Sequence, residues 1–284
     1  AALIAVCAVR ALSTTSERLR QLGRHASIEI APRQATRYAE LAKARPSAPR
    51  TVFVNFVDTE DEHFAAVEAA CAVLKAAGLD PVPHVPASRV KNAAVKRLRA
   101  LRDAGAASAL IVAGNDWTDI CARVDDVAAC AAALLDMRPV FAGFPEGHPY
   151  VPRGGARLSE KLRAHGGSVV SQFCRDLPFV LDAWLDATRP NAEAIFVGVP
   201  GPAPRATLRR FYDLCGVGPS AAVEVVSDES EDDVVAPARD VAALAAYLER
   251  HSIDDASVRL HLYPCGGVER CLAYVEGLCS GNNS

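Results

Sequence analysis

Polar side chains recur where short apolar runs of this chain end, and their types are those used for proton transfer and ligand binding. Glu29 lies in SIEIA between Ile28 and Ile30. On a strand, alternation aims it into the interior if the two isoleucines pack outward. A lone carboxylate there is costly and needs partners or a task. One such task is proton donation from a carboxyl whose pKa is raised. Runs of the same kind carry Asn55 in TVFVNF, His84 in DPVPHV, Gln172 in SVVSQF and His261 in VRLHLY. SALIVA leads into Gly114-Asn115-Asp116-Trp117, and PVFAG leads into Pro145-Glu146-Gly147-His148-Pro149. The second of these is either an ordinary turn or a site built where a strand gives way to a loop. Lys161, in the helical RLSEKLRAHGG, reaches toward a phosphate or toward solvent. A single histidine on a strand is more often structural than catalytic, so the constellation matters more than any member.

The elements that must position these residues repeat a rhythm. Eight β-rich runs are SIEIA (27–31), TVFVNF (51–56), DPVPHV (80–85), SALIVA (108–113), PVFAG (139–143), SVVSQF (168–173), AIFVGV (194–199) and VRLHLY (258–263). The first seven start about 24 to 31 residues apart, with amphipathic helical stretches between them. EDEHFAAVEAACAVLKAAGL has apolar residues at i, i+3, i+4 spacing and stops at Gly78. Strand and helix alternating eight times predict a closed (β/α)8 TIM barrel, with an open doubly wound sheet as the alternative. No GxGxxG follows the first strand, which weakens a dinucleotide-binding open sheet. The reading is therefore a basic extension or helix over 1–26 and one barrel over 27–284. An insertion at about 200–257 carries the acidic run SDESEDD (227–233), either a solvated loop or a docking surface for a basic partner. In a barrel, chemistry belongs at the carboxyl ends of the strands, where the residues above stand.

Composition narrows the function. The chain has 284 residues, 50% of them hydrophobic, and 31 basic against 34 acidic side chains. That balance does not suit a general nucleic-acid binder. Nine cysteines without a CxxC pair read as buried free thiols, and no spacing argues for a metal. No run of ~18 apolar residues predicts a membrane span. The first 26 residues hold Arg10, Arg18, Arg20 and Arg24 against a single acid, Glu17. This is the composition of a mitochondrial transit segment or its remnant, and equally of a basic first helix in a cytoplasmic protein.

SIEIAP, PHVPASR, FAGFPEGHP, SQFCRD, GVPGPAP, CGVGPS and HLYPCGG occur in that order. Together they resemble the methylenetetrahydrofolate reductase family in its barrel-only form, over about residues 27–278. The resemblance implies an FAD-bearing (β/α)8 barrel. In it NAD(P)H reduces the flavin, and the reduced flavin passes a hydride to methylenetetrahydrofolate. It implies that Glu29 protonates the folate, that Gln172 contacts it, and that His84, Ala142, His148 and Lys161 line the flavin. The family's acid after strand four corresponds to Asn115, or to Asp116 after a one-residue shift. Asn55 stands where a threonine is usual, and Ser88, Phe144 and Leu208 also depart from the family pattern. The loops after strands four and five are short.

So many changes around one cavity leave two expectations. One is a flavin-dependent reductase acting on folate. The other is a catalytically inactive barrel serving as a structural subunit of a mitochondrial assembly, with protein partners or further copies of itself.

Overall fold

Ile28 and Ile30 are both buried in the apolar layer between strands and helices, and Glu29 between them faces the opposite way, into the barrel. That single alternation is the pattern of the whole sheet. The computed structural model describes residues 16–56, 62–90, 93–113, 120–129, 131–132, 135–148, 154–217, 232–253 and 256–281. Eight parallel strands close in the order β1 (Ser27–Ile30), β10 (Val258–Tyr263), β7 (Ile195–Pro200), β6 (Ser168–Ser171), β5 (Arg138–Gly143), β4 (Ser108–Val112), β3 (Asp80–Pro86) and β2 (Thr51–Val54), back to β1. The (β/α)8 barrel is thus the fold, and the open doubly wound sheet is not.

Between the strands run α2 (Ala35–Ala44), α3 (Glu62–Ala76), α4 (Ala87–Val90), α5 (Ala94–Asp103), α6 (Ile120–Ala129), α7 (Gly154–His165) and α8 (Leu177–Thr188). α3 stops where the sequence predicts. Gly78 takes a φ of +74°, and the Leu79 N–H donates to the Leu74 carbonyl at 3.0 Å. Only glycine enters that left-handed turn without steric cost.

After β7 the rhythm changes. Two short strands, β8 (Ala203–Pro204) and β9 (Val234–Val235), pair antiparallel beside α9 (Arg205–Leu214). Then come α10 (Ala238–Arg250), β10 and α11 (Val268–Ser280). The inner stripe of α10 is Val241, Leu244, Ala245 and Leu248, the helical spacing seen in its sequence. Of the acidic run, Asp232 and Asp233 are described and 227–231 lie outside the described residues.

A helix α1 (16–24) precedes the first strand, while residues 1–15 lie outside the described residues. Its described part is packed rather than extended. Leu22 is buried, Gly23 sits against Cys279 and Leu278, and Arg18 contacts Glu249 at 3.1 Å and the Ile253 carbonyl at 3.0 Å. Arg20 and Arg24 both turn onto Glu17. Among the described residues no helix is long and apolar enough to cross a membrane.

Inside the barrel a second apolar cluster, Phe53, Val82, Leu110, Val140, Val170 and Phe196, fills the waist. Each comes from the inward register of its strand, as layered barrel packing requires. The polar inward residues lie above and below this plug.

Candidate functional site

Above the plug, at the carboxyl ends of the strands, β1, β2, β3 and β10 bring four polar side chains together. The Asn55 amide donates to Glu29 Oε1 at 3.2 Å, and His84 Nε2 stands 3.3 Å from Glu29 Oε2. The His84 contact is one of charge, because its alignment falls short of a hydrogen bond. His261 faces the same interior. Its Nδ1 lies 2.9 Å from Ser27 Oγ, which reaches the Leu260 carbonyl at 3.3 Å. With the serine O–H donating to that carbonyl, its oxygen accepts from Nδ1–H, and His261 Nε2 is left as a bare acceptor. The ring of Phe53 supports the group from below, 4.7 Å from His261 and 6.4 Å from His84, edge-on to both.

The electrostatics correct one expectation. Burial pushes the Glu29 carboxyl up, but the charge of His84 and the hydrogen bonds around it outweigh burial, so its pKa is lowered. Glu29 is a half-buried carboxylate held as an anion, not a neutral acid with a raised pKa. Burial also dominates at His261. It lowers that pKa to about 4 against the opposing pull of Glu29, so the imidazole is neutral at pH 7. At Tyr263 burial, reinforced by the Glu29 charge, raises the phenol well above its ordinary value. Its O–H donates to the Ser171 carbonyl at 2.8 Å.

On the far side of the mouth Gln172 follows directly after β6. Its Nε2 donates to the Cys215 carbonyl at 3.1 Å. Gln172 lines a cavity of about 210 Å³ with Phe144, Glu146, Phe173 and Cys215. The fields of Glu29 and Gln172 meet at the Cys215 thiol, raised first by burial, lowered by Gln172 and raised again by Glu29. Burial pushes Cys265 up to about 12 as well. Neither thiol is a thiolate nucleophile at neutral pH.

The PEGHP loop divides its labour. Both oxygens of Glu146 accept backbone N–H groups, from Arg175 and Asp176, each at 2.9 Å. Those donors lie on the two residues just before α8, so Glu146 anchors the turn that leads into that helix. His148 packs against the Phe144 ring at 4.3 Å. Burial first, and then the charge of Lys161, lower its pKa. Lys161 of α7 therefore faces His148, while Ala142, half-buried on β5, shares the inward register of Val140.

Ser88 is buried at the start of α4, its N–H on the Ala113 carbonyl at 3.1 Å. Leu208 is buried against Phe173, Ala203 and Tyr212. Asn115 and Asp116 lie outside the described residues.

The structure thus joins Glu29, Asn55 and His84 in one cluster, and places His148 with Lys161 in a second group after β5. Sequence reasoning passed over Ser27 and Tyr263. Alternation outward from Glu29 and His261 was the available signal for both. Among the described residues no group of three or more His, Cys, Asp and Glu is arranged to hold a metal ion.

A closed parallel barrel of eight strands with surrounding helices defines the TIM-barrel fold. No protein-family model matches the chain. Among solved structures it is similar to a dihydrodipicolinate synthase from Agrobacterium tumefaciens str. C58. The identity is 14% over 93% of this chain and 78% of that one, with a TM-score of 0.52. It also aligns with a mandelate racemase/muconate lactonizing enzyme from Bordetella bronchiseptica RB50, at 12% identity over 90% of this chain, with a TM-score of 0.48. The chain spans only 58% of that enzyme's length. Endonuclease IV from Thermus thermophilus aligns at 13% identity over 90% of this chain and 97% of its own, with a TM-score of 0.49. At 14% identity the likeness to the synthase shows the fold alone.

Proposed function

We propose that the chain is a flavin-dependent reductase of the methylenetetrahydrofolate reductase type, acting at the carboxyl mouth of the barrel. The observation that carries this reading is a set of three buried polar atoms without hydrogen-bond partners around Glu29. They are Asn55 Oδ1, His84 Nε2 and His261 Nε2. Buried polar atoms are nearly always paired, so three together mark a place for a polar ligand. The edge of a flat heteroaromatic ring, with its N–H and C=O groups in series, is complementary to such a set. His84, Ala142, His148 and Lys161 would hold FAD, and Glu29 and Gln172 would meet the folate. When bound, the flavin supplies the two-electron hydride chemistry.

The chain's own residues do the rest. An anionic Glu29 stabilises positive charge that develops on a substrate nitrogen, in a site where water does not screen it. Gln172, tethered through its Nε2, presents a fixed amide to the cavity it lines. The Phe53 ring and the plug below exclude water from the floor.

The test is spectroscopic first. The purified protein should take up FAD and show the visible absorbance of a bound flavin, bleached by NAD(P)H. Glu29→Gln should leave that bleaching nearly intact and slow methylenetetrahydrofolate reduction by roughly 100-fold. A colourless protein that takes up no FAD overturns the reading and leaves the non-catalytic barrel in its place.

A further inference from the structure

The opposite, amino-terminal end of the barrel holds a cavity of about 340 Å³. Its polar wall is the first inward layer of the strands: Thr51 of β2, Ser108 of β4, Arg138 of β5, Ser168 of β6 and Arg259 of β10. Its roof is the underside of the apolar plug, Val82, Val140 and Phe196. That plug stands between this cavity and the Glu29 cluster, so the two ends of the barrel are separate places.

Two guanidiniums share the cavity, and with Lys75 they outnumber the two acids of its wall, Asp80 and Glu193. Arg259 donates its Nε–H to the Ala256 carbonyl at 2.6 Å and lies over the Phe196 ring, 5.2 Å from its centroid. Neither Arg138 nor Arg259 makes an ion pair among the described residues. The wall also carries Lys75 and two acids, each with its partner on or beside that same wall. Asp80 stands 4.0 Å from Lys75, and Glu193 Oε1 accepts the Gly167 N–H at 3.2 Å. Burial lowers the Arg259 pKa and the charge of Arg138 lowers it further, with no carboxylate opposing. His25 feels the same field, its pKa lowered by burial, then by Arg259 and Arg24. Like charges held together in a concavity focus a positive potential that an anion relieves.

The donor set indicates which anion. One arginine fork fills two of the roughly four acceptor positions of a carboxylate. Two forks with serine and threonine hydroxyls between them offer more N–H and O–H groups than a carboxylate accepts, and match the oxygens of a tetrahedral phosphoryl group. We propose that the amino-terminal cavity binds a phosphoryl-bearing small molecule, its phosphoryl oxygens held between Arg138 and Arg259 with Ser108 and Ser168 as neutral donors. A volume of this size is that of a small-ligand pocket. The site is independent of any flavin at the other mouth.

Inorganic pyrophosphate is the probe, titrated into the full chain in phosphate-free buffer and followed by calorimetry and thermal melting. Saturable binding at millimolar concentration or below is expected, with a melting midpoint that rises as the probe is added. Arg138→Gln should weaken binding by roughly tenfold or more. Arg33→Gln, an exposed arginine outside the cavity, should leave it unchanged. Without the probe, Arg138→Gln should melt higher than the parent chain, because it removes the repulsion. A merely structural arginine would give the reverse. Arg138 stands exposed at the start of its strand, so its replacement spares the core, and Arg259→Gln supplies a second variant. Absence of saturable binding overturns the site. So does pyrophosphate affinity that Arg138→Gln leaves within roughly twofold of the parent. Succinate binding as tightly as pyrophosphate overturns the phosphoryl assignment.

Discussion

Glu29 Oε2 stands 3.3 Å from His84 Nε2, bridging β1 and β3 across the mouth of the barrel, while Asn55 from the strand between them holds the other carboxylate oxygen. Three strands that are neighbours in the sheet thereby fix the charge of one side chain. The carboxylate is half-buried, and its partners keep it ionised.

The pair should therefore be coupled. Replacing either member leaves the other buried and unpaired, and costs more than replacing both. Glu29→Gln and His84→Gln should each destabilise the chain by about 2–4 kcal/mol in urea unfolding, with the double variant well short of the sum. The pH dependence follows from the lowered pKa of Glu29. Its contribution is full above the ordinary carboxylate value of 4.5 and is lost as pH falls through the lower folded value. Parent and Glu29→Gln should diverge most at neutral pH and converge under acid.

His261 gives a second pH window. Its folded pKa, about 4, lies below the ordinary 6.5. The unfolded chain therefore binds a proton first. Stability from this group is full above pH 6.5 and lost as pH falls toward 4, by roughly 3 kcal/mol at ~1.4 kcal/mol per unit. His261→Gln should flatten that part of the stability curve, measured as the denaturant midpoint at several pH values.

Glu146 should behave as the anchor of the turn before α8. Glu146→Ala removes the acceptor for the Arg175 and Asp176 N–H groups and should cost about 1 kcal/mol of unfolding free energy. Glu146→Gln, which keeps one acceptor, should cost less. An equal loss of flavin uptake in both, with no change in stability, would contradict the anchoring role.

Gly198 has no room for a side chain. A methyl there would strike the Ser171 carbonyl oxygen and come within 2.6 Å of the Tyr263 ring. Both are held, since the Tyr263 O–H bonds to that same carbonyl. Gly198→Ala should cost more than ~3 kcal/mol and fold poorly, as overpacking against fixed backbone does. A thermal midpoint near that of the parent would show that β6 and β7 can part.

Much of this architecture was legible in the sequence because it rests on local periodicity. Seven strand starts at near-constant spacing, with helical patterns between them, predict the barrel. The Ile-Glu-Ile alternation places Glu29 inside, and Gly78 ends its helix. The PEGHP stretch was less legible. Glu146 and His148 are two residues apart, yet one anchors the turn before α8 and the other packs on Phe144 beside Lys161. Nothing within those five residues states where the amide groups of 175 and 176 will lie.

The sequence by itself determined which side chains point inward, since a strand of L-residues alternates whatever surrounds it. Only the tertiary structure decided their chemistry. The anionic state of Glu29 depends on Asn55 and His84 from two further strands. The neutrality of His261 depends on burial, and the pairing of Arg138 with Arg259 on closure of the ring. Charge and proton affinity are set by distance and by exclusion of water, and neither quantity exists until residues far apart in the chain are brought together.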